Sequence, residues 1–249
     1  MNTVKVRDLV LGDGVPKICV PVIAHTYQEL EKALNQLEGS PYDLVEFRAD
    51  FYFEEEDRAL ERIRSCIGSR PLLYTLRTSE EGGEIAPGEE AYQARILSAA
   101  GKADLVDIQL ARLHPEEGLA RHSGALIKAV HRTQAKVILS WHDFEKTPDR
   151  QVLSDTLRAM QRAGCDIAKI AVMPKNRLDV LALMEASVRM YEDPDACPFI
   201  TMSMGTLGKV TRVAALLTGS CITFGTAGSM SAPGQIPSEK LWEILRSLA

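Results

Sequence analysis

The sequence has no long hydrophobic run, no basic block and no paired cysteines, and each absence removes a class of protein. No apolar stretch approaches the ~20 residues a membrane helix needs. Lysine and arginine number 29 against 34 aspartates and glutamates, a net charge of −5, so nothing points to nucleic acid. An anionic ligand would need arginines placed locally. The five cysteines, Cys19, Cys66, Cys165, Cys197 and Cys221, are odd in number and scattered, with no C-x-x-C pair. That argues against a disulfide framework and a structural zinc site. No H-x-H or H-E-x-x-H occurs, so no metal is expected. Met1–Val6 lacks an apolar signal-peptide region, and a reducing cytoplasm is the expected setting.

What is present is a regular alternation. Val4 to Leu11 reads as a short hairpin before Gly12-Asp13-Gly14. Strands follow at Lys17–Val22, Leu44–Arg48, Leu72–Leu76, Leu105–Leu110 and Lys136–Ser140, then at Cys165–Pro174, Phe199–Met204 and Cys221–Phe224. Between them lie helical patterns: Leu30, Ala33, Leu34 and Leu37; Glu54 to Cys66; a helix ending near Ala100; Pro115 to Arg132; Leu153, Leu157 and Met160. Leu178, Leu181, Met184 and Val188 mark the next, Gly208 to Leu217 a shorter one, and Leu241, Ile244, Leu245 and Leu248 the last. Strict alternation implies parallel strands with helical crossovers. Eight such units in 249 residues predict a (β/α)8 barrel with an N-terminal hairpin, occupying residues 1–249 as one domain. A doubly wound open sheet is the alternative, weakened because no G-x-G-x-x-G follows the first barrel strand.

In such a barrel the site lies at the C-terminal ends of the strands. The sixth strand carries Lys169 in its apolar middle. By itself this is more readily a cation reaching out to water, yet burial lowers a lysine's pKa and a neutral amine attacks carbonyls. Ile167, Lys169 and Ala171 should face the interior, with Ala168, Ile170 and Val172 against the helices. Glu46 and Arg48 share one face of the second strand, and read equally well as a structural ion pair. Arg77 ends the third strand, four residues before Glu81-Gly82-Gly83, which otherwise is a polar turn. His142 follows the fifth strand, next to Lys169's strand, and imidazole suits a proton shuttle. Arg212, on the helix after the seventh strand, could grip a carboxylate or sit solvated. The uncharged run Gly225 to Gln235 could be a lid offering Ser231 and Gln235, or plain surface. Six strands placing polar groups at one end describe a pocket rather than a coincidence.

These residues resemble a known family. Val45-Glu46-Phe47-Arg48-Ala49-Asp50, the arginine before Glu81-Gly82-Gly83, Ser140-Trp141-His142-Asp143-Phe144 with Thr147-Pro148, and Ala168-Lys169-Ile170-Ala171 are similar to type I 3-dehydroquinate dehydratase. So are Thr201-Met202-Ser203-Met204-Gly205 with Leu207-Gly208-Lys209, and Ser231-Ala232-Pro233-Gly234-Gln235-Ile236. The resemblance implies a homodimeric barrel that removes water from 3-dehydroquinate in the shikimate pathway, with no cofactor, nucleic acid or membrane involved. It makes Lys169 the Schiff-base lysine, His142 the proton shuttle and Glu81 the group orienting it. It places Arg212 on the substrate carboxylate and Glu46, Arg48 and Arg77 around the ring, with Ser231 and Gln235 on the lid. Trp141, Gln109 and Pro21 depart from the family pattern and put the pocket wall in question. Two rivals stand beside this reading. One is a lysine-dependent class I aldolase with a phosphate site at Gly225-Thr226-Ala227-Gly228. The other is a barrel that binds a ligand without catalysis.

Overall fold

The computed structural model describes residues 1–110, 123–228 and 234–249. Strands β1 (Val4–Val6) and β2 (Leu9–Leu11) pair antiparallel as the expected hairpin. Eight parallel strands follow: β3 (Lys17–Val22), β4 (Leu44–Arg48), β5 (Leu72–Thr75), β6 (Leu105–Gln109), β7 (Lys136–Asp143), β8 (Ile167–Val172), β9 (Phe199–Ser203) and β10 (Ile222–Thr226). Neighbours from β3 to β9 pair in sequence order, and β10 pairs with β3. The sheet therefore curls until β9 meets β10. There Cys221 N–H donates to the Phe199 carbonyl at 2.8 Å, and Thr201 N–H donates to Ser220 Oγ at 3.2 Å. A two-residue strand, β11 (Ile236–Pro237), pairs with Gly225 and Thr226 at the end of β10.

The helices are α1 (Tyr27–Asn35), α2 (Glu56–Ile67), α3 (Glu89–Ala100), α4 (Ser123–His131), α5 (Arg150–Arg162), α6 (Arg177–Tyr191), α7 (Gly205–Val213), α8 (Ala215–Thr218) and α9 (Ser238–Leu248). Local chemistry fixes their starts. Before α6, Asn176 Oδ1 accepts from the Leu178 and Asp179 N–H groups while the Asp179 carboxylate accepts from the Asn176 N–H, a reciprocal cap worth about 1 kcal/mol. No helix among the described residues is long and apolar enough to cross a membrane.

Two apolar shells result, because side chains alternate across each strand. Ala168, Ile170 and Val172 of β8 pack outward with the helices, and Ile167 and Ala171 pack inward, as the alternation predicts. Val6 and Leu11 of the hairpin join the inner shell and close its N-terminal end.

Three expectations change, and one is met only over the described residues. The fifth barrel strand does not stop at Ser140; it runs to Asp143, so His142 lies on the strand itself. The helix after β9 is two pieces, because Ala214 leaves helical geometry at φ −83°, ψ 9°. The helix expected over Pro115 to Arg132 is described only as Ser123–His131, residues 111–122 lying outside the described residues. On α6 the expected stripe is only partly inward: Leu178 and Leu181 are exposed and Met184 and Val188 half-buried, while Val180, Leu183, Ala186 and Met190 face the core. That helix is apolar on two sides, and periodicity does not say which side turns inward.

Candidate active site

Lys169 sits in the middle of β8, pointing inward, with 4% of its surface exposed. A buried cation needs partners. Its Nζ donates to Asp107 Oδ2 at 3.0 Å, lies 4.0 Å from Glu46 Oε1, and sits 4.7 Å from the centre of the Phe224 ring.

Asp107 is the hub of the buried network. Arg77 Nη2 donates to the same oxygen at 2.9 Å. The Ser140 hydroxyl donates to Oδ1 at 2.5 Å and accepts from Arg77 Nη1 at 2.9 Å. Burial opposes ionisation of Asp107, but the adjacent Arg77 and Lys169 charges outweigh it and hold the carboxyl below its ordinary range. Burial works against the Arg77 cation too, and Asp107 with Glu81 keep it more strongly protonated than a free arginine.

Glu81 reaches His142 through a tight turn. Ser79–Glu81 forms a single 3-10 turn, and Gly82 follows with φ +80°. A Cβ on Gly82 would meet the Phe144 ring at 2.5 Å, and one on Gly83 would meet the Arg77 carbonyl at 2.0 Å. Only glycine lets this turn fold back so closely. Glu81 Oε2 then lies 2.8 Å from His142 Nδ1 and 3.3 Å from Arg77 Nη1. Burial pushes the Glu81 carboxyl up to about 7 against the pull of Arg77. Burial, helped by the Arg77, Lys169 and Arg48 charges, drives the His142 imidazolium well below its ordinary range. The pair thus holds a neutral ring whose Nδ1–H donates to Glu81 once the acid ionises, leaving Nε2 as a base.

The other predicted residues divide. Glu46 accepts from the Thr75 hydroxyl at 2.7 Å. Arg48 does not pair with Glu46. The 3-10 turn Ala49–Phe51 swings Asp50 back, and Arg48 donates to it twice, at 2.8 and 2.7 Å. Arg212 is buried on α7, its Nη1 donating to the Phe224 carbonyl at 3.4 Å, and burial lowers its pKa to about 10. Gln235 is buried just before β11. Glu46, Arg48, Arg77, Glu81, His142, Lys169, Arg212 and Gln235 all line one cavity at the C-terminal end of the barrel, a concave site with convergent polar groups of the kind that binds small ligands. Ser231 lies outside the described residues.

The three departures resolve without touching the cavity. Trp141 alternates away from Ser140 and His142 and packs against the outer shell, so it is no part of the pocket wall. The β10–β3 ladder ends at Phe224 opposite Cys19, two residues before Pro21, which has no N–H to extend it. Gln109 accepts from the Thr78 N–H at 2.8 Å and donates to Thr78 Oγ1 at 3.2 Å, anchoring the segment that carries Arg77 and Glu81. Asp107 is the functional candidate that strand-end reasoning passed over. Its signal was available: it shares inward parity with Gln109 in an otherwise apolar strand.

The arrangement offers a partnered amine, a neutral imidazole beside a carboxylate, and an arginine for an anion, around one cavity. Among the described residues no group of three or more histidines, cysteines or carboxylates is placed to hold a metal ion. The family model of type I 3-dehydroquinase matches residues 18–249. A 3-dehydroquinate dehydratase of Syntrophotalea carbinolica is 43% identical over 100% of this chain and 98% of its own length. One from Listeria monocytogenes is 40% identical over 98% and 97%. The crystal structure of type I 3-dehydroquinate dehydratase from Clostridium difficile with covalent modified comenic acid superposes with a TM-score of 0.92 at 37% identity, covering 99% of this chain and 98% of that one. The enzyme from Geobacillus kaustophilus gives 0.91 at 34%, covering 99% and 96%.

Proposed function

The chain belongs to the type I 3-dehydroquinase family, and from that membership we infer that it converts 3-dehydroquinate to 3-dehydroshikimate in the shikimate pathway through a Schiff base on Lys169. The observation that carries the mechanism is the placement of Lys169 Nζ inside the cavity that His142 and Arg212 also line.

The deprotonated Lys169 amine adds to the ketone at C3, and the carbinolamine takes up a proton and loses water to give a protonated imine. That imine withdraws electrons from C2. His142 Nε2 removes a C2 proton, and the electron pair moves into an enamine. The enamine then expels the C1 hydroxyl, which leaves as water with a proton from His142. One imidazole on one face serves both transfers, giving syn elimination. Water hydrolyses the conjugated imine and returns the lysine. Glu81 fixes the His142 tautomer through Nδ1. Arg212, weakened as a cation by burial, gains from an incoming carboxylate. Glu46, Arg48 and Arg77 hold the ring, and Ser231 and Gln235 cover it.

Borohydride added with substrate should leave a reduced adduct on Lys169, read by peptide mass. An unmodified lysine at saturating substrate would sink the mechanism. The same reading makes the enzyme a homodimer of the reducing cytoplasm, where five free cysteines persist. Leu178 and Leu181 of α6, with Leu207 and Val210 of α7, are exposed apolar side chains on packed helices and support association. A monomer in sedimentation at micromolar concentration would contradict it.

A further inference from the structure

We propose that Asp107 is the fixed counterion of the protonated imine on Lys169, and that it sets the alkaline limit of the reaction. This rests on the Schiff-base reading above.

Two carboxylates lie near Nζ, and their settings differ. Glu46 Oε1, 4.0 Å away, lines the cavity where a ligand's hydroxyls can draw it off. Asp107 Oδ2, at 3.0 Å, does not line the cavity and is 1% exposed. It lies beneath the floor, held by the Ser140 hydroxyl on one oxygen and by Arg77 on the other. A ligand entering from the mouth reaches Glu46 but cannot displace Asp107.

The chemistry needs such an anion. Amine, ketone and one proton combine to give the iminium and one water. Unless its nitrogen keeps that proton, the imine is a poor electron sink. The iminium N–H grows from the Lys169 nitrogen and keeps Oδ2 as its neighbour. An opposite charge at this range shifts a pKa by about 1–3 pH units. Arg77 shares Oδ2, so the lower end of that range applies.

The other groups facing Nζ leave the alkaline limb clear. Glu81, near 7, is ionised above neutrality, and His142 is already neutral there. Burial, reinforced by Glu46, holds the Cys19 thiol on β3 protonated. Arg212 titrates only near 10. Arg48 is engaged with Asp50, and Arg77 stays charged.

Cyanoborohydride reduces the protonated imine in preference to the neutral one, so trapping with it against pH reads the iminium directly. With dehydroquinate bound, Asp107→Asn should move the alkaline limit of trapping down by at least about one pH unit, about a tenfold loss of adduct beyond it. Asp107→Glu, which keeps the charge, should restore the limit in part. An unchanged limit in folded Asp107→Asn would overturn the proposal. Should that variant fail to fold, the wild-type enzyme suffices. With ligand carrying ¹³C at its carbonyl, the imine carbon should keep its protonated chemical shift to higher pH than a free imine of the same ketone, and titration at the free-imine pH would overturn the proposal. If wild-type enzyme gives no adduct at any pH, the Schiff-base reading itself fails and this proposal falls with it.

Discussion

The two ends of the barrel interior are built on the same strands and do opposite things. At the N-terminal end, Leu44, Leu73, Leu105, Ile138 and Ile167 fill the interior, with Val6 and Leu11 of the hairpin beneath. Two residues further along those strands, the inward positions become Glu46, Thr75, Asp107, Ser140 and Lys169. The lower layer is held by apolar burial, which has no direction and tolerates exchange among shapes of similar volume. The upper layer is held by charge-assisted hydrogen bonds of 2.5 to 3.0 Å, each tied to one partner. Apolar packing and the buried polar network are thus divided along the barrel axis, one step of the pleat apart.

The widest separation of the two layers should come from Lys169→Ala. It should remove dehydration beyond the roughly 10²–10⁴-fold that acid–base assistance supplies, while the protein still unfolds cooperatively. Residual turnover within that range would place the nucleophile elsewhere. Ile138→Ala, in the layer below, should reverse the pattern. A loss of about 2–5 kcal/mol in urea unfolding is expected, with kcat of the folded enzyme nearly unchanged. A matching fall in kcat would mean the layers are not separate.

Glu81→Gln sharpens the comparison through pH. The folded-state pKa of Glu81 is raised, from 4.5 to about 7. Its contribution to stability is therefore fully present below about 4.5 and lost as pH rises through about 7. The amount at stake is of order 3 kcal/mol. Glutamine should flatten that fall in denaturant titrations. His142 has the opposite sign: its depressed pKa supports the fold above about 6.5 and less as pH falls. The same variant should erase the rise of kcat/KM through about pH 7, where ionised Glu81 frees His142 Nε2. A persistent rise would assign that limb to another group. The smallest effect belongs to Arg7→Ala in the turn of the hairpin. Its 2.6 Å pairing with Asp104 is partly exposed, worth about 0–1 kcal/mol, and activity should not move.

The barrel is legible in the sequence because its strands are buried on both faces and read as apolar runs between amphipathic helices. The inward set on β8 follows from alternation alone. Arg48 is harder. Its partner depends on a turn after the strand, and a two-residue spacing shows shared facing rather than contact. Asp107 escapes for a related reason: attention to strand ends passes over a mid-strand acid, whose meaning appears only when Arg77, Ser140 and Lys169 converge on it from three strands. The choice between the two apolar sides of α6 is likewise tertiary, decided by what it packs against.

The seam between β9 and β10 has a mechanical consequence. Every other neighbouring pair of barrel strands shares a ladder, whereas here the Cys221 N–H and the Ser220 hydroxyl stand in for one. The cylinder is best thought of as a hoop with a clasp. Amides along the clasp should exchange with solvent sooner than those of β6, β7 and β8, and the first breathing motion should begin there. α7 spans that clasp, carrying Arg212. If Arg212 receives the substrate carboxylate as proposed, the wall that holds the anion should also be the part that yields first, and a bound carboxylate should act as a rivet across the joint.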